Sequence, residues 1–196
     1  MGSQSQRIKK ITGTGIFLAI IVVLTLISNY VTFSIGGINI NLSLVVIVLG
    51  ACLYGPISGL LLGAANGVVT IFAPGTAAFL AINPVATVLL CILKTGLAGL
   101  ASGFLFLLFK KKLTVLGTFL CSIIVPVINT GLFIAGVLLF FLEIFGDFTT
   151  LITAVVGLNF LIESIVITVL CPAIYYIIKL AQRIINNHNG YRGENG

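Results

Sequence analysis

The sequence predicts an all-α integral membrane protein, a six-transmembrane-helix bundle with N and C termini cytoplasmic, and three observations carry that reading. Hydrophobic residues make up 59% of the 196 residues and charged residues 7%, with a mean hydropathy of +1.27. A chain of that composition cannot present a soluble surface. Apolar segments recur along it, most of them long enough for a hydrocarbon core about 30 Å thick. Finally, the basic residues keep to one side. Arg7, Lys9, Lys10, Lys110, Lys111, Lys112, Lys179, Arg183 and Arg192 fall on the face of the N-terminus, while the three opposite loops hold no lysine or arginine. Basic loops stay inside, so that face is predicted to be cytoplasmic. The net charge of +6 thus reports orientation rather than an acidic partner such as nucleic acid.

Residues 1–10 form a basic cytoplasmic N-terminus, 11–181 the six-helix membrane domain and 182–196 a cytoplasmic tail, read as solvated and partly disordered. The first apolar run, Ile11 to Ser28, lacks a small-residue cleavage site and is expected to be a retained helix. Within it Gly15 and Ala19 make a small-xxx-small pair, which lets another helix approach closely. Residues 30–41 carry Gly36-Gly37 and alternating polar groups and read as a non-helical outside loop, tolerated where it lines a cavity. A short run from Leu42 to Tyr54 ends at Gly55-Pro56, a turn signal. In the next segment, Ile57 to Phe72, glycines recur every four residues at Gly55, Gly59, Gly63 and Gly67, predicting one flat face for close packing.

Ala73-Pro74-Gly75 stops that helix, and a mildly amphipathic connection leads to Pro84, suited to the first turn of the fourth helix. The fifth segment, Leu113 to Leu142, contains Pro126, where a missing N–H predicts a kink. An acidic loop from Glu143 to Thr150 precedes the sixth, Leu151 to about Leu180.

The fourth segment, Asn83 to Phe109, holds Lys94 near its middle. At 1.5 Å per helical residue the lysine lies about 16 Å along the helix from Asn83. A charge at that depth costs at least about 2.5 kcal/mol on insertion scales and marks a functional-site candidate whose partner must be found. Glu163, the one acid deep inside another apolar segment, is the expected partner at a compatible depth. Asn159 shares the Glu163 helix face one turn nearer the outside, and Asn129 reaches a similar level from the other end of its helix. Lys94, Asn129, Asn159 and Glu163 thus supply a cation, two amides and a carboxylate that either orient a small polar solute or bond one another between helices. Asn66 lies near the midplane and bonds either a solute or a neighbouring helix.

Catalysis and metal binding find no support. Cys52, Cys91, Cys121 and Cys171 show no paired spacing and read as small buried hydrophobes, and the sole histidine, His188, lies in the polar tail. No cofactor or metal is expected, and no serine has a visible base.

Taken together these phrases resemble the substrate-binding S components of energy-coupling factor (ECF) vitamin transporters, small six-helix bacterial membrane proteins. The residues that carry the resemblance are GIFLA from Gly15 to Ala19, the LGACLYGPISGLLLGAANG block from Leu49 to Gly67, FLAINPVATVLLCILKTGLAGL from Phe79 to Leu100, and PVINTGLF with VGLNFLIE between Pro126 and Glu163. It covers nearly all of residues 11–180. The resemblance implies a receptor in the bacterial plasma membrane that captures a vitamin-like micronutrient from outside and joins a transmembrane coupling protein (EcfT-like) and two cytoplasmic ATPases. An AxxxA-like motif on the first helix meets the coupling protein there, and Gly15 and Ala19 match it with glycine in the first place. The first outside loop, here Tyr30 to Asn41, acts as a lid. The solute site lies in the outer halves of the later helices and their loops, which takes in Lys94, Asn129, Asn159 and Glu163 with Asn39 and Asn83. The nearest likeness is to the subfamilies assigned to pantothenate or left without an assigned solute, with CILK where many relatives carry an arginine-containing phrase. A carboxylate-bearing solute would suit Lys94; one with amide or ring donors would suit Glu163 and the asparagines. The chain has no GxxxxGK[ST] motif, so ATP hydrolysis must come from a partner. A self-sufficient ion-coupled transporter or channel, using Lys94 and Glu163 as a relay, is the alternative.

Overall fold

A computed structural model describes residues 2–30, 41–109, 114–141 and 158–193, and these form helices with no strand among them. The elements are α1 (Gly2–Tyr30), α2 (Ser43–Tyr54), α3 (Pro56–Ile71), a 3-10 turn (Pro74–Thr76), α4 (Ala77–Ile82), α5 (Pro84–Phe109), α6 (Thr114–Phe140) and α7 (Leu158–Gly193). Among the described residues, three helical stretches are long and apolar enough to cross a membrane: Lys10–Ser28, Pro84–Phe109 and Thr114–Phe140. A fourth span is added if α3 and the segment Pro74–Ile82, bent by 78° from it, count as one. Ser43–Tyr54 and Phe160–Tyr176 are apolar but shorter.

The short helix is the centre of the bundle. Ten residues of α2, Ser43 to Cys52, are buried, and α1, α3, α5, α6 and α7 all pack on it. Its sequence, SLVVIVLGACLY, has no polar face, the pattern of a helix enclosed on every side. Ile21, Leu62, Phe106, Val125, Ile167 and Cys171 close around it. The four cysteines are buried and free, as their scattered spacing implied. Isoleucines, leucines and valines on α1, α5 and α6 face outward, Leu108 78% exposed and Ile11 73%, an apolar surface suited to lipid or to a membrane partner.

Gly55 and Pro56 join α2 to α3 for separate reasons. Gly55 adopts φ +97°, a conformation costly for other residues, while its N–H returns to Ala51 O; Pro56 then occupies the first turn of α3, where no N–H is needed. Gly55 therefore belongs to the turn and not to the packing stripe. The stripe proper is Gly59, Gly63 and Gly67, on which a Cβ would collide with the α5 backbone at Gly99, Thr95 and Cys91. Gly99 is pressed as closely on Gly59, and Gly103 on Pro56. The Thr95 hydroxyl donates across this contact to Gly63 O at 2.6 Å. These are two helices locked backbone to backbone.

Three stretches depart from expectation. The connection after Pro74 is helical, as the 3-10 turn and α4. Residues 2–10 are already part of α1, and the tail, read as solvated and partly disordered, continues α7 to Gly193. Both are extensions of long helices, where each added residue gains a bond without a new nucleus. Helix α6 runs on through Pro126. The outside loop at 31–40 and the acidic loop fall outside the described residues.

Candidate functional site

At the end of the bundle opposite the basic residues, the 3-10 turn, α4, the first half of α5 and the last part of α6 enclose a cavity of about 190 Å3. Sequence places each wall. Pro74 and Gly75 break α3, and Thr76 caps the break by donating to Thr70 O at 2.8 Å, so the chain turns and brings Phe79 of α4 to the cavity wall. Asn83 starts α5: its side-chain oxygen accepts Ala86 N–H at 3.1 Å and its carbonyl accepts Thr87 N–H and Oγ–H. Asn83, expected to contact solute, is thus occupied as a helix cap. The lining is Thr70, Thr76, Phe79, Thr87, Leu90, Lys94, Phe133 and Phe141, with Gly75 and Cys91.

Lys94 projects from α5 into this cavity, its Nζ 4.8 Å from the centre of the Phe133 ring. A ring face attracts an ammonium by about 0.5 kcal/mol where exposed and 2 kcal/mol or more where dry. Phe79 packs edge-on against Phe133 and Phe141, ring centres 5.8 and 5.2 Å apart, holding the aromatic wall in place. The threonine hydroxyls of the cavity send their protons to backbone carbonyls, Thr70 to Asn66 O, Thr76 to Thr70 O and Thr87 to Asn83 O. Their oxygens are left as acceptors. The site therefore offers one cation, three acceptors and an aromatic face.

The expected Lys94 to Glu163 ion pair is not formed: among the described residues no carboxylate stands within 4.0 Å of the ammonium. Glu163 acts on Lys94 only through longer-range electrostatics, because α5 and α7 make little direct contact and α6 and α2 pack between them. Glu163 instead accepts the backbone N–H of Asn41 at 3.1 Å, at the entry to α2. Asn129 lies one turn from Phe133 on the same face of α6, its side-chain oxygen buried and without a hydrogen-bond partner among the described residues. Asn159 is in the first turn of α7, and its side chain, like the whole of Asn39, falls outside the described residues. Among the described residues, Lys94 is thus the one sequence-chosen residue that the structure puts on the cavity wall. The aromatic and threonine partners went unread, although Phe133 follows Asn129 by four residues and Thr87 follows Asn83 by four.

Asn66 is fully buried at the junction of α3 with α1 and α2. Its amide meets the hydroxyls of Thr25 and Ser43 at 2.7 Å each, the helix-to-helix role that the sequence left open. Proton count decides the sense of these bonds. Thr25 also reaches Ile21 O, and Ser43 reaches the Asn41 side-chain oxygen, and each hydroxyl has one proton. With the amide NH2 turned toward them, both hydroxyls accept from Asn66 and donate onward, and every bond has its proton.

Among the described residues no cluster of His, Cys, Asp or Glu could hold a metal ion. Gly15 and Ala19 lie on the exposed side of α1, and a Cβ on Gly15 would meet nothing within 4 Å.

In comparisons with known proteins, the family model described as ECF transporter, substrate-specific component, matches residues 9–175. Neither a curated protein nor a solved structure matches the chain. The matched span contains α2, α3, α4, α5 and α6 entire and every residue of the cavity, and by that match the chain belongs to the ECF transporter substrate-specific component family.

Proposed function

We propose that this substrate-specific component captures a small carboxylate-bearing micronutrient from outside the bacterial cell in the cavity beside Lys94, with pantothenate as the first candidate. The carrying observation is an ammonium on the wall of a mostly apolar cavity with an aromatic ring beneath it and no protein carboxylate within 4.0 Å among the described residues. A buried cation with no anion in direct contact, Glu163 acting on it only at longer range, is unfavourable. A solute carboxylate restores the balance, through charge-assisted hydrogen bonds roughly twice as strong as neutral ones. The acceptor oxygens of Thr70, Thr76 and Thr87 suit the amide and hydroxyl protons of such a solute, and Phe79, Phe133 and Phe141 suit its carbon skeleton. A volume of about 190 Å3 is below the range of about 300–1,000 Å3 of drug-sized ligand sites and favours a small metabolite.

In this reading the chain passes the membrane six times with both termini in the cytoplasm. Gly15 and Ala19 meet the transmembrane coupling protein (EcfT-like), and two ATPases supply the energy. Asn129, Asn159 and Asn39 are candidates for further solute contacts. Glu163 serves the entry to α2 rather than the solute. An ion relay through Lys94 and Glu163 has less support, because no direct bond links the two side chains among the described residues and they act on each other only at longer range.

The test is a thermal-shift screen of the detergent-purified chain against B vitamins, their precursors, nucleobases and lipoate, repeated on Lys94→Ala. A ligand at a thousandfold excess over Kd stabilises the folded state by about 4 kcal/mol. One strong carboxylate hit, lost in the variant, is expected. A hit that persists in Lys94→Ala would place the solute elsewhere, and none across the panel, followed by ATPase-independent uptake in liposomes, would favour the ion-coupled reading.

A further inference from the structure

Away from the basic end, the described helices carry two charged side chains. Across residues 11–30, 41–109, 114–141 and 158–178 the sequence holds no Asp, Glu, Lys, Arg or His other than Lys94 and Glu163. With the lysine protonated and the glutamate ionised, this apolar interior holds one charge of each sign and is neutral.

The two charges are held differently. The Glu163 carboxylate accepts the Asn41 N–H at 3.1 Å and meets the Lys94 ammonium only at longer range. Helices α2 and α6, which pack on α7, bring no charged residue to it. Their titratable groups are Cys52 and Tyr54 at the basic end of α2 and Cys121 near the basic end of α6. Along α7 itself the next is Cys171, about 12 Å further toward that end at 1.5 Å per residue. On α5 it is Cys91, on the wall of the Lys94 cavity.

A solute carboxylate bound to Lys94 changes the sum. The interior then holds two negative charges against one positive, and an uncompensated charge in apolar surroundings is costly. The solute carboxylate keeps its charge, because the ammonium bonds it directly. Glu163, with one N–H and a cation that is now engaged, is the carboxylate that yields. We infer that capture of a carboxylate solute beside Lys94 draws one proton from water onto Glu163, so that binding is linked to proton uptake. The inference rests on the proposed carboxylate site. One O–H bond forms at Glu163 and no other covalent bond changes. A neutral carboxyl accepts a hydrogen bond less strongly than a carboxylate, so capture at Lys94 loosens the tie between α7 and the entry of α2. A proton taken up on binding also means that affinity rises as pH falls, by at most about tenfold per pH unit.

The experiment titrates the full chain in detergent with pantothenate by calorimetry, in buffers of different ionisation enthalpy, between about pH 6 and pH 8, where the solute carboxylate stays ionised. About half a proton or more taken up per solute is expected near the steepest part of the pH dependence. In Glu163→Gln the uptake and the pH dependence should vanish while binding is kept. A second arm needs no solute. Lys94→Gln removes the cation, and infrared titration should find the neutral carboxyl band of Glu163 persisting to higher pH than in the native chain, the band being assigned by its loss in Glu163→Gln. Binding without proton uptake would overturn the inference, and so would uptake that survives in Glu163→Gln, which would place the proton on Lys94. If pantothenate does not bind, the proposed solute falls, and the infrared arm still decides the coupling: identical carboxyl titration in the native chain and Lys94→Gln would overturn it.

Discussion

One oxygen of the Glu163 carboxylate accepts the backbone N–H of Asn41 at 3.1 Å, tying the start of α7 to the entry of α2. From there polar contacts pass to Ser43, to Asn66 on α3 and to Thr25 on α1. Four helices that share few polar groups are thus joined through one chain of bonds near the start of α2.

The first prediction concerns this joint. Glu163→Gln keeps an oxygen that can accept the Asn41 N–H while removing a charge from the bundle, so its stability should stay within about 1 kcal/mol of the native chain. Glu163→Ala loses the acceptor and should cost about 1–3 kcal/mol. Melting temperatures of both variants in one detergent decide the matter. Equal melting of Glu163→Ala and the native chain would show that the bond carries no net stability.

Lys94 leads to a second prediction. Replacing it with alanine should weaken binding of a carboxylate solute about 10- to 100-fold, the loss of one charged hydrogen-bond partner. Phe133→Leu keeps the ammonium but removes the ring beneath it, and should weaken binding less, by a factor of about 2 to 30. Titration calorimetry with the solute identified by thermal shift measures both. A larger loss in Phe133→Leu than in Lys94→Ala would make the aromatic wall, and not the charge, the main recognition element.

The comparison with sequence reasoning turns on what each signal encodes. The glycines at positions 59, 63 and 67 announced a close helix contact, and the structure puts them on α5 backbone. A four-residue period fixes a face and needs no partner to be read. Depth along a helix was also legible, which is why Lys94 stood out. Azimuth was not: matching heights made Glu163 its expected partner, yet which helices become neighbours is decided by long-range packing. Asn83 shows the same limit at short range. An asparagine before a proline at a helix start serves as a cap or as a ligand contact, and only the Ala86 N–H at 3.1 Å assigns it to the cap. The cavity went unread because its walls come from a connection, PGTAAFLAI, whose fold as a turn and short helix depends on docking against Phe133 and Phe141.

The glycine contact supplies the third prediction. In Gly63→Val, the added side chain meets Thr95 O and the Gly96 backbone, atoms that cannot rotate away. Helices α3 and α5 must separate and lose the Thr95 hydroxyl bond, a cost of about 1–3 kcal/mol or more for overpacking. A lower melting temperature, with solute binding reduced because α5 carries Lys94, is expected. Native stability in this variant would mean that the two helices repack without penalty.

Gly15 supplies the opposite case on the same principle. It is a small residue in a helix like Gly63, but its side faces away from the bundle, and nothing lies within 4 Å of an added Cβ. Gly15→Ala should leave stability unchanged or raise it by up to about 1 kcal/mol, since alanine is the better helix former. Gly15→Leu should likewise fold and bind solute normally, because no residue of α1 is among the described residues that line the cavity. If the Gly15 and Ala19 face meets the coupling protein, the leucine holds that helix off, and ATP-driven uptake in proteoliposomes containing the complete transporter should fall several-fold while solute binding is kept. Intact uptake in Gly15→Leu would move the docking surface to another face of the bundle.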